Sequence, residues 1–199
     1  MEGRRTEAVA LAREGLEMLR RSGESRLVLR GLVFLAQALA DSGDFSAAEA
    51  VLIEADELAA GDPTWELAPI HADCAELRGD HSAALSLYAE SLSWSSTTGE
   101  SHQMLMDMRA IVTSLAALGS YQPALEACEL IRLEEQRTGR VGNTDAWDTD
   151  MLRSVTAARE ALTPEAAATA INRATRVDVA LRAGRVIELA ESTVALRGS

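Results

Sequence analysis

The stretch Leu32–Leu58, LVFLAQALADSGDFSAAEAVLIEADEL, carries two amphipathic helical patterns that meet at Ser42-Gly43-Asp44. Small residues stand where one helix must press closely on the other, at Ala36, Ala48 and Ala55. The pattern predicts a helical hairpin. A single hairpin cannot bury both of its apolar faces, so it needs neighbours of the same kind. The glycines supply them: Gly3, Gly43, Gly79 and Gly119 are 40, 36 and 40 residues apart (43−3, 79−43, 119−79). Five residues after each comes an alanine (Ala8, Ala48, Ala84, Ala124), and seven after that come Gly15, Ala55, Ser91 and Ile131.

With Gly43-Asp44 and Gly79-Asp80 at the turns, these small residues, and Leu52, Tyr88 and Cys128 four positions after the first alanine, the chain resembles the tetratricopeptide repeat (TPR) proteins. The large residue early in that family's first helix corresponds to Leu32, Ala68 and Met108. Its Leu-Gly pair corresponds to Leu35-Ala36, His71-Ala72 and Ile111-Val112, so the repeats are degenerate. The resemblance implies an all-α fold, a right-handed solenoid of antiparallel helical hairpins with about ten helices. Residues 1–23 are expected to form a half repeat whose turn is at Gly3. Whole repeats are expected over 26–60, 64–98 and 100–135, then a loop over 136–149, then a C-terminal helical repeat and capping helix over 150–199.

Composition agrees with helix throughout: 47% of residues are hydrophobic, only 4% are aromatic, and there are four prolines. The net charge is −12 and every one of the 19 basic residues is arginine, a usage that suggests a bacterial source. Residues 61–150 hold 15 acidic and 5 basic groups. Such a body repels nucleic-acid phosphates, which argues against direct nucleic-acid binding. Arg173, Arg176, Arg182 and Arg185 are expected on a solvated helical face. Cys74 and Cys128 fall on apolar positions of different hairpins and are expected as small core residues. No signal peptide or membrane-spanning run is read, and a cytoplasmic setting is expected.

Local signals refine the layout. Pro69 places the start of its helix near Trp65 or Glu66, because proline fits only the first turn. His71 falls on the face inside the hairpin, and His81 takes the place of Phe45 and Tyr121 in the neighbouring repeats. The polar run Ser93–Gly99 is expected to end a helix. Met104, Met106 and Met108 cannot share one helical face, so Met106 is expected nearest a boundary. Helix is expected over Asp150–Leu162, then Thr163 as an N-cap with Pro164 in the first helical position. A last helix is expected over Val177–Leu196, weakened at Gly184.

The segments ALGSYQPALEACELIRLEEQRTG (117–139) and REALTPEAAATAINRA (159–174) resemble the C-terminal TPR region of large bacterial ATP-binding transcriptional regulators of the LuxR and antibiotic-regulatory types. That resemblance implies a non-enzymatic interaction or sensor arm. No phosphate-binding loop, HExxH, GxSxG or cysteine-histidine cluster is present, so no catalytic residue, metal or cofactor is expected. In TPR proteins the first helices line a concave groove. Carried over by position, its residues are Arg30, Gln37 and Asp41, then Glu66, Asp73 and Glu76, then Met106, Arg109 and Thr113. The expected occupant is a protein or peptide segment that is basic or carries a free amine. Self-association through the half repeat is a further expectation, and a free-standing adaptor or a small-ligand binder are the alternatives.

Overall fold

The computed structural model describes residues 2–59, 67–139 and 145–198. Among the described residues the chain is all-α, with ten α-helices, one short 3-10 turn and no strand. It forms two compact units, Met1–Asp80 and His81–Ser199.

The first unit holds α1 (Glu2–Ser22), α2 (Ser25–Ser42), α3 (Phe45–Ala59) and α4 (Ala68–Leu77). Helix α2 is its centre, packed by α1, α3 and α4. Leu16, Leu29, Leu32, Leu35, Leu39 and Leu52 make the core. The expected small positions have their physical reason here: Ala36, Ala48 and Ala55 are all completely buried between closely approaching helices. Gly31 works the same way against α1, since a Cβ there would come within 2.9 Å of a Leu19 methyl. The α2–α3 turn is closed by Gly43, whose N–H donates to Ala40 O at 2.9 Å while Asp44 N–H donates to Leu39 O at 3.0 Å. This pairing ends a helix with one left-handed residue. Asp44 then accepts from Ala47 N–H at 3.2 Å and starts α3.

The second unit holds α5 (His81–Thr98), α6 (Ser101–Ala117), α7 (Tyr121–Thr138), α8 (Asp145–Ala161), α9 (Pro164–Thr175) and α10 (Arg182–Arg197), with the 3-10 turn Val179–Leu181 before α10. Helix α6 packs on α5, α7 and α8, and its Met108, Ile111, Val112 and Leu115 are fully buried. Thr163 caps α9 as expected, accepting from Ala166 N–H at 3.2 Å ahead of Pro164. Helix α10 turns back and lies against α5, α6 and α7.

Several expected boundaries are corrected. Gly3 lies inside α1 and makes no turn. Helix α4 is described from Ala68 with Pro69 in its first turn as expected, and the expected start near Trp65 or Glu66 lies outside the described residues. The polar run Ser93–Gly99 ends its helix as expected, but only at its last residue. Ser96 Oγ donates to Ser93 O at 2.8 Å and Thr97 Oγ1 to Trp94 O at 2.7 Å. The hydroxyls thus bond back to the helix's own carbonyls, and the stop is delayed to Gly99. The expected loop 136–149 is helical at both ends, through Thr138 and from Asp145. The final helix opens at Arg182, and Gly184 falls in its first turn, where it interrupts nothing.

Candidate functional site

In the first unit the candidate residues of α2 share one face. Arg30, Gln37 and Asp41 are separated by seven and four positions, which on a helix lie above one another. Phe34 stands between them, four positions after Arg30, and is 63% exposed. Gln37 Nε2 donates to Asp41 Oδ1 at 3.2 Å, which fixes the end of the stripe. Helix α4, packed on α2, supplies Asp73 and Glu76, both half-buried. Burial pushes the Cys74 thiol up to about 11, and the charges of Asp73 and Asp41 push the same way. The α2 face thus carries an exposed aromatic ring between Asp41 at one end and Arg30 at the other. His71 lies on the α3 side, its Nε2 3.2 Å from Asp56 Oδ2. Glu66 lies outside the described residues.

Phe34 was absent from the expected set because it reads as one more apolar residue of the hairpin. The signal was nonetheless available. A phenylalanine in register with Arg30 and Asp41 faces away from Leu32, Leu35 and Leu39.

The second unit places its three candidates differently. Met106 is half-buried, between a half-buried Met104 and a buried Met108. Arg109 is 3% exposed, and its guanidinium pairs with Glu135 of α7. Thr113 Oγ1 donates to Ala110 O at 2.9 Å and to Arg109 O at 3.1 Å. These side chains chiefly serve packing between α6 and its neighbours and offer little surface to a partner. Next to them is a network that the sequence reading did not find. Asp107 is 1% exposed and accepts from Ser91 Oγ at 2.9 Å, Ser95 Oγ at 3.2 Å and Gln103 Nε2 at 2.8 Å. It ties α5 to α6, and the small residue at the Ser91 repeat position is thereby also a hydrogen-bond donor.

The expected solvated arginine face is half corrected. Arg173 and Arg176 are exposed. Arg182 and Arg185 instead meet buried glutamates of α7: Arg182 lies 3.2 Å from Glu134, and Arg185 2.7 Å from Glu126. Glu134 is also held by Arg137, which with Arg182 keeps its carboxyl below the ordinary value against the opposing effect of burial. These pairs attach α10 to α7. Cys74 is buried, Cys128 is half-buried, and both are free thiols. Among the described residues no three His, Cys, Asp or Glu side chains are grouped to hold a metal ion. No described helix is long and apolar enough to cross a membrane. No family model matches the chain, and no curated protein or solved structure matches it.

Proposed function

We propose that the chain is a non-enzymatic helical interaction module that holds a basic segment of a protein partner on the α2–α4 face of its first unit. The observation that carries this reading is Phe34, a large ring left 63% exposed in a stripe with Gln37 and Asp41 on the helix against which α4 packs. Aromatic anchors bordered by charge are the usual energetic centre of a peptide site. The Asp41 and Asp73 carboxylates supply charge-assisted acceptors for arginine or lysine, while Arg30 selects an acidic or C-terminal group at the other end. The resemblance to the TPR arms of bacterial regulators favours a sensor arm of a cytoplasmic transcriptional regulator over a free-standing adaptor. Two free thiols fit a reducing compartment.

The test is selection from a displayed library of random 12-residue peptides on the immobilised chain. Enrichment of sequences that pair Arg or Lys with a large apolar residue is expected. Phe34→Ala should weaken the selected peptides at least about tenfold, as loss of an anchor does. Charge reversal at Asp73 and Glu76 should abolish capture while helix content by circular dichroism stays constant. Capture that survives both changes refutes the site.

A further inference from the structure

A second concavity lies wholly within the second unit. Helices α5 and α10 diverge around a cleft of about 840 Å³, within the range of small-molecule sites. Each helix lines it with a single stripe. On α5, Glu90 and Trp94 are four positions apart. On α10, Ile187, Glu191 and Val194 succeed one another at helical spacing. The walls are apolar at Trp94, Ile187 and Val194, and among the described residues Glu90 and Glu191 are the only charged ones lining it. Among the described residues neither carboxylate has an ion-pair or hydrogen-bond partner. The Arg182 and Arg185 guanidinium groups of α10 do not line the cleft and are held by Glu134 and Glu126 of α7. Neither candidate resemblance nor the α2–α4 face accounts for this cleft.

We infer that the α5–α10 cleft is a binding site for a small amphipathic ammonium ion, its apolar part lying between Trp94 and the Ile187 and Val194 side chains and its charge shared by Glu90 and Glu191. An anion would meet two carboxylates and no cation, and a neutral apolar molecule would gain nothing from either carboxylate. An ammonium group gains a charge-assisted contact to each carboxylate and, over the indole face, the attraction of the ring quadrupole. The arginine pairs hold one side of α10 on α7, and an occupant of the cleft adds to the packing that α10 already makes with α5. Occupancy and the docking of α10 are therefore linked by mass action.

The probe is phenethylammonium chloride, titrated calorimetrically into the full chain, with sodium phenylacetate and 2-phenylethanol as anionic and neutral controls of the same size. The ammonium ion is expected to bind at least about tenfold tighter than either control. Glu90 and Glu191 are exposed, so E90Q/E191Q leaves the fold intact, and it should remove that preference. Saturating probe should also slow amide hydrogen exchange over Arg182–Arg197. Equal affinity for the three compounds overturns the inference, as does binding unchanged in E90Q/E191Q. So does no heat and no exchange protection up to about 10 mM probe, a concentration beyond any specific affinity.

Discussion

At the residue scale, the punctuation of this chain is its left-handed glycines. Gly23, Gly43, Gly79, Gly99, Gly119 and Gly139 have φ between +65° and +86°, and they follow α1, α2, α4, α5, α6 and α7. Four of their five spacings are 20 residues (43−23, 99−79, 119−99, 139−119) and the other is 36 (79−43). At Gly119 a Cβ would touch nothing within 4 Å. Any cost of substitution there is conformational alone. Gly119→Ala should therefore lower stability by about 1–2 kcal/mol, the penalty of a left-handed L-residue, and Gly119→Asn by less because asparagine tolerates that region. Urea midpoints of the three proteins check this, and an alanine variant as stable as the wild type would contradict it. Most of this punctuation was legible in the sequence. The 40-residue alignment found Gly43, Gly79 and Gly119 because hairpin turns repeat with the buried alanines that follow them, and the polar run Ser93–Gly99 marked Gly99. Gly23 and Gly139 were not singled out, since the turns between hairpins need the same left-handed stop but carry no alanine signal. The alignment also admitted Gly3, which is helical, because spacing alone cannot separate a turn glycine from one in a first helical turn, where the backbone donors have no partner to lose.

At the scale of elements, helix existence was legible and helix docking was not. Periodicity places α10 to within a few residues. What holds it is the burial of Val186, Leu189 and Ala190 against neighbouring helices together with contacts between residues 48 and 59 positions apart, Arg182 with Glu134 and Arg185 with Glu126. No helical period reports such a contact. The same limit explains why Arg109 was expected in a groove: its place on α6 was right, but the glutamate that takes its charge belongs to α7. The docking pairs make a pH prediction. Arg137, then Arg182, holds the Glu134 carboxyl below its ordinary value of 4.5. A depressed folded-state value means that its contribution is full above pH 4.5 and is lost as pH falls through the lower, folded value. Glu134→Gln should cost about 3 kcal/mol at neutral pH, the low end for breaking a buried pair, because Arg137 is half exposed. The deficit should narrow steadily below pH 4.5. Parallel urea titrations of wild type and variant from pH 7 downward measure it, and a deficit that stays constant with pH would show that the pair does not anchor α10.

At the scale of the whole molecule, charge decides which polymers can approach. The net charge of −12 arises from 31 acidic against 19 basic residues. Several of those arginines are already committed to carboxylates of the same chain, including Arg20 with Glu17 and Glu54, Arg78 with Glu49, and Arg132 with Glu129. The field at long range is therefore negative, and the cations that could meet a phosphate backbone are fewer than composition implies. Binding to duplex DNA draws its energy from arginine and lysine displacing condensed counterions, and this surface has little to offer. On the proposed reading a basic peptide should meet the opposite situation, drawn in by the field and with the exposed Phe34 ring as its aromatic contact. Fluorescence anisotropy with a labelled arginine- and leucine-containing 12-residue peptide and with a labelled 20-bp duplex should separate the two. The peptide should bind, with affinity falling as salt rises from about 20 to 150 mM because exposed charges more than about 8 Å apart become screened. The duplex should show no affinity better than about 10⁻⁴ M, the weak end of non-specific binding. Duplex binding that weakens steeply with salt would mean a basic surface strong enough to overcome the net field, and would turn the reading from protein recognition to nucleic acid. Peptide binding indifferent to salt but lost in Phe34→Ala would keep the aromatic anchor and remove the acidic residues from the account of its specificity.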